Sequence, residues 1–248
     1  MYAPGYHKCS IRRRGICKFP GIGNTGTARH ANSAGFFNKC YLYKRAIRNK
    51  GECMKKVNEP TYSFVILTLI LIIIDTILAW VSVTIFPTLA GGLVSSLFVA
   101  VAFMILFTLW FGGYGAIAAY VGTLVGSGLL VSDTLTQHPA VAVVWAVAGL
   151  LQVLIPLVAV RNFDVDLSME SPRDFTYVIL FGVIINNIIG AAWATWTLSL
   201  IGPENMGSVF SSWLIGNLIV CILIVPLALK TLTPRVRNHR LFVKNYWD

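Results

Sequence analysis

From residue 60 to residue 230 the chain is a succession of apolar stretches, each about twenty residues long and each closed by glycine, proline or a polar cluster. A bilayer core takes roughly 20 apolar residues to cross as a helix. Read on that scale, spans are predicted at about 63–86, 89–111, 114–131, 139–160, 175–201 and 209–229. Pro87, Gly112-Gly113 and Gly202-Pro203 mark three of the breaks. A closed barrel needs alternating strands of about ten residues, and that pattern is absent. The expectation is an all-α, polytopic transmembrane bundle of about six spanning helices.

Charge sets the orientation. Thirteen of the twenty Lys and Arg residues lie in the first 56 positions, five lie from Lys230 onward, and only Arg161 and Arg173 fall between. A net charge of +10 would suit nucleic acid or an anionic surface. Basic residues that flank apolar spans instead follow the positive-inside rule, so no nucleic-acid partner is expected. Both basic ends then belong in the cytoplasm, which requires an even number of spans. The loop 161–174 falls on the same side, and the loops near Phe86, Asp133 and Glu204, which lack Lys and Arg, fall outside. Plasma membrane, lipid-embedded, with both termini cytoplasmic, is the expected location.

Residues 1–53 form a separate unit, basic and rich in Gly, Asn and Arg, with no apolar period and no signal-peptide core. A disordered tail is one reading and a transit peptide another. The favoured reading places the translation start at Met54, because Met54-Lys55-Lys56 leads directly into the membrane domain of 54–248. Cys9, Cys17, Cys40, Cys53 and Cys221 form no C-x-x-C pair and are read as free thiols.

Polar side chains inside apolar spans are costly and face the bundle or a cavity. Asp75 is the only acid well inside a span, on a stripe with Thr68, Ala79 and Ser82. It is read as a ligand, proton or cation site, as a structural hydrogen bond, or as an inert neutral acid. Span four aligns Trp145, Gly149, Gln152 and Pro156. Pro156 lacks an N–H, so the carbonyl of Gln152 loses its helical partner and is free for a ligand or a neighbouring helix. Span five sets Gly182, Asn186, Gly190 and Ala194 at four-residue steps beside Trp193, with Asn187 on an adjacent face. Span six aligns Trp213, Gly216, Asn217 and Cys221. Gly115, Ala119, Gly122 and Gly126 in span three make a small-residue seam for helix contact. The candidate ligand site is therefore Asp75, Gln152, Asn186, Trp193, Trp213 and Asn217. These six are expected to converge on one polar pocket in the outer half, with the tryptophans toward its mouth. Asp75, near mid-membrane, is the member that could fall outside it.

No catalytic or metal-binding set is evident. His138 precedes Pro139 in a loop, and there is no HExxH, GxSxG or clustered acid pair within a span. Asp164, Asp166, Glu170 and Asp174 share a loop with Arg161 and Arg173 and read as a solvated, self-balanced connection. A non-enzymatic protein without a cofactor is expected.

Several segments carry a family likeness. They are Leu150-Leu151-Gln152-Val153-Leu154, Val160-Arg161-Asn162-Phe163, Ser171-Pro172-Arg173-Asp174, Trp213-Leu214-Ile215-Gly216-Asn217 and Val225-Pro226-Leu227-Ala228-Leu229. With a weaker echo in Trp110-Phe111-Gly112-Gly113-Tyr114, residues 88–232 resemble the type-one membrane-associated sensor (MASE-type) domain. That domain precedes kinase, cyclase or phosphodiesterase modules in bacterial signalling proteins. Asn217 stands where the family usually has an acid. The stretch after the last span holds no output module, so the resemblance implies a sensor that signals through a separate protein partner. The alternative is architectural: residues 54–248 look like the substrate-binding component of an energy-coupling-factor transporter. Either reading implies an unidentified small-molecule ligand.

Overall fold

The computed structural model describes residues 62–86, 88–89, 94–202 and 205–243. The chain divides at Val57/Asn58, and every described residue belongs to the second unit. The expected tail 1–53, the Met54 start and four of the five cysteines lie outside the described residues.

Apart from one short hairpin, the regular structure of the described chain is helical. Helix α1 is Tyr62–Ile85; β1 (Thr88–Leu89) pairs antiparallel with β2 (Val94–Ser95), Thr88 opposite Ser95. Then follow α2 (Ala100–Phe111), α3 (Gly113–Gly122), a π-helical stretch Thr123–Leu129 and α4 (Asp133–Gln137). Helices α5 (Pro139–Trp145) and α6 (Val147–Asn162) make one rod; α7 (Pro172–Ile179), a π-helical stretch Leu180–Ile185 and α8 (Asn186–Ser199) make another. The last is α9 (Met206–Val236). Local chemistry fixes the starts: Ser132, Ser171 and Asn205 each accept a backbone N–H from the first turn of α4, α7 and α9.

Four rods are long and apolar enough to cross a membrane: Tyr62–Ile85, Pro139–Asn162, Pro172–Ser199 and Met206–Val236. They cover the stretches expected at 63–86, 139–160, 175–201 and 209–229. The other two expected spans differ. The stretch expected at 89–111 becomes a hairpin and a twelve-residue helix, α2, about 18 Å long at 1.5 Å per residue. The segment is pinned by Ser95, whose hydroxyl donates to the Ser82 carbonyl at 2.9 Å. The Ala100 N–H returns to the Ser82 hydroxyl at 3.3 Å. Gly216 of α9 admits this irregular backbone: a Cβ there would stand 2.5 Å from the Ser96 carbonyl. Non-helical backbone survives at such depth only where protein covers it. The stretch expected at 114–131 is α3 continued by the π-helical turns, where the Ser127 hydroxyl takes the Thr123 carbonyl at 2.9 Å.

Helix α2 is the axis of the domain. Nine of its twelve residues are buried, and it packs against α1, α3, α6 and α9. Gly112, at φ 63°, turns the chain straight from α2 into α3. Around this axis the outward faces are bare hydrocarbon. Ile66, Ile73 and Ile77 of α1, Ile188 of α8 and Ile219 and Leu223 of α9 are exposed. A contiguous apolar exterior of this kind marks a surface made for lipid rather than water.

The two ends of the bundle differ in charge. Arg161, Arg173, Lys230, Arg235, Arg237 and Arg240 are the Lys and Arg residues among those described, and they cluster at one end. That end is tied together by Arg240 donating to the Ser63 hydroxyl at 2.8 Å, Trp110 donating to Thr233 at 3.1 Å, and an Arg237–Asp166 pair at 3.7 Å. The loop expected to be merely solvated has a second face. Asp164 and Glu170 are exposed and Asp166 half-buried, while the alternating Val165, Leu167 and Met169 join Phe242 in the hydrophobic core.

Candidate functional site

The centre of the α6–α8–α9 interface is a knot of amides. Pro156 has no N–H to give the Gln152 carbonyl, and Asn186 supplies one from α8: its Nδ2 donates to that carbonyl at 3.2 Å. The Gln152 side chain donates in turn to Asn187 Oδ1 at 2.8 Å, and Asn187 Nδ2 donates to the Val183 carbonyl at 2.7 Å. The Cys221 side chain of α9 faces the Asn187 side chain. All four side chains are buried. Gly190 makes the knot possible, since a Cβ there would lie 2.6 Å from Gln152 Cδ. The π-helical stretch just before Asn186 adds a residue to the turn, and both consecutive asparagines face protein.

Above this knot, toward the end away from the arginines, lie two indoles. Trp145 and Trp213 meet edge to face with centroids 5.7 Å apart. Both are buried in the cluster that includes Leu135, Ala142, Ala194 and Val209. Neither indole N–H has a partner, and neither has Asn217 Nδ2, one helical turn from Trp213. Asn186 Oδ1 is likewise unpartnered. Three donors and one acceptor therefore line the seam of α5, α8 and α9 without hydrogen bonds of their own. Each such buried group costs about 1–3 kcal/mol when left unmet.

The other two expected members are placed differently. Trp193 Nε1 donates to the Val144 carbonyl at 2.8 Å, just before the break between α5 and α6, so its donor is already used. Asp75 lies on α1, which packs chiefly on α3 and the π-helical stretch after it. There it abuts Gly122, where a Cβ would come within 2.7 Å of the Asp75 Cβ. The structure thus brings Gln152 and Asn186 into one bonded network and sets Trp213 and Asn217 on one face of α9. Asn187 and Trp145 belong with them. The doubled Asn186-Asn187 and the Trp145 stripe were the signals that could have found both.

No protein-family model, curated protein or solved structure matches the chain.

Proposed function

We propose that the domain is a six-pass sensory domain of the plasma membrane that binds a small, uncharged, acceptor-rich molecule and relays occupancy to a separate protein. The observation that supports it is the trio of buried, unpartnered donors, Trp145 Nε1, Trp213 Nε1 and Asn217 Nδ2. A molecule presenting carbonyl or ring-nitrogen acceptors beside the indole pair would satisfy them. The seam lies at the end where none of the described Lys and Arg residues sits, so nothing described there favours a full negative charge. In this reading α2 and α3 complete the second and third passes, and the arginine-bearing end faces the cytoplasm by the positive-inside rule. The opposite end is plugged by Val165, Leu167, Met169 and Phe242. A plugged inner end suits a receptor better than a conduit, and the exposed residues around the plug, Asp164 and Glu170 among them, are the surface through which a partner would read the ligand. The likeness of residues 88–232 to MASE-type domains agrees with this reading.

The test is native purification. Protein taken from its own membrane, with partners cross-linked, should carry a small molecule detectable by mass spectrometry and a signalling protein such as a kinase or cyclase. Asn217→Ala and Trp213→Phe should lose the molecule while the protein stays monodisperse. An ATPase and a scaffold membrane subunit in place of the signalling protein would make the domain a transport component. Full retention of the molecule by both variants would reduce the seam to packing.

A further inference from the structure

Between Glu59 and Asp133 the chain has no Asp, Glu, Lys, Arg or His other than Asp75. The elements that pack most closely on α1 are α2, α3, the π-helical stretch after α3, and β2, all inside that interval; from outside it Arg240 reaches the first turn of α1, donating to Ser63 at 2.8 Å, three turns from Asp75. Asp75 is 0% exposed, and neither carboxyl oxygen has a hydrogen-bond partner. The titratable groups on the facing elements are two tyrosines. Tyr114 stacks on Phe64 with centroids 4.8 Å apart, three turns from Asp75. Tyr120 gives its hydroxyl to the Val143 carbonyl at 3.1 Å. On α1 itself Tyr62 is exposed at the helix start.

A carboxylate in this position would have no counter-ion and no donor, and a buried unpaired charge neutralises rather than persists. Two ligands could neutralise it. A metal cation needs several oxygens around it. The nearest hydroxyls on the stripe, Thr68 and Ser82, are each two turns away and donate to the Phe64 and Leu78 carbonyls at 2.8 and 2.7 Å. Among the described residues no three His, Cys, Asp or Glu side chains gather. Only a proton needs no further ligand.

We propose that Asp75 is a proton-binding site that couples ionisation to the seating of α1. The neutral acid lies against the bare backbone of Gly122, and one turn on, Gly126 offers a second such surface to Ala79, where a Cβ would come within 2.8 Å. When the O–H bond breaks, the proton passes to water and the electron pair stays on the carboxylate. Of the four long rods α1 has the smallest buried share, so it is the rod that a charge at this apolar contact unseats from α3 most readily, and proton gain reseats it.

The full chain in lipid vesicles, stepped between acidic and alkaline pH, provides the test by infrared difference spectroscopy. A carboxylic-acid C=O band should vanish on the alkaline step, return on the acid step, and be missing from D75N. Dicyclohexylcarbodiimide, which reacts with a protonated carboxyl in an apolar setting, should modify the peptide bearing Asp75 at acid pH and lose that adduct at alkaline pH. Because the pH response of both readouts is read in the native sequence, a poorly folding variant does not blur it. An acid band that ignores pH across the folded range would overturn the proposal, as would a carboxylate band at every pH. Protection from the carbodiimide by sodium at constant pH would make the site one for a metal cation and also overturn it.

Discussion

Gln152 and Asp75 are buried to nearly the same degree, 1% and 0% exposed, yet their surroundings are opposite. Gln152 sits in a closed circuit, its carbonyl taken by Asn186 and its amide by Asn187. Asp75 has an apolar wall and a glycine. Burial is the same observation in both; pairing separates a group that ties helices together from one whose oxygens have no partner. Interhelical hydrogen bonds in lipid contribute about 0.6 kcal/mol on average and up to about 1.7. The circuit is therefore worth more for the register it imposes on α6, α8 and α9 than for its energy.

The strongest way to break the circuit is to fill the space it uses. Gly190→Val would drive a branched side chain into the Gln152 amide. Overpacking of this kind costs about 1–3 kcal/mol, and more where polar partners are lost with it. The variant should show the largest fall in thermal midpoint in detergent, together with loss of any bound molecule. A midpoint like that of the native chain would show that the amides are not locked as described.

A smaller effect separates the circuit into its bonds. Gln152→Ala and Asn187→Ala should each lower stability by about 1–2 kcal/mol, since each strands a buried partner. The double variant should fall short of their sum, because both remove the same 2.8 Å bond. Strict additivity in denaturant-induced unfolding would mean that the two amides act independently.

Part of this comparison could be read from residues alone. Pro156 four positions after Gln152 already implied a stranded carbonyl, and Asn186 is the donor that answers it. Long apolar runs located the four long rods, because length and composition are what a bilayer selects. Two things could not be read that way. The hairpin before α2 depends on Ser82, thirteen residues before Ser95, and on Gly216, far along the chain. Hydropathy sees Val94–Phe111 as one apolar run and has no term for a loop that protein covers. Likewise, the faces of Trp193 and Trp213 look alike in sequence. Only the break at Trp145–Val147, which exposes the Val144 carbonyl to Trp193, tells the used donor from the free one.

The smallest expected change is the sharpest test of the other half of the comparison. Asp75→Asn keeps the shape against Gly122 and substitutes one neutral group for another if the acid already carries a proton. Neither oxygen of Asp75 has a bond to lose, so stability at neutral pH should move by less than about 1 kcal/mol. Two other outcomes have distinct signs. A fall of about 3–5 kcal/mol is the signature of breaking a buried charge pair, and would mean that Asp75 has a cationic partner. A gain of several kcal/mol would mean that an unpaired carboxylate had been relieved of its desolvation penalty. Equilibrium unfolding of the native chain and the Asn variant at one pH distinguishes the three. A near-zero difference here beside a clear loss in Gln152→Ala is what a neutral, unbonded acid and a bonded amide require of the same bundle.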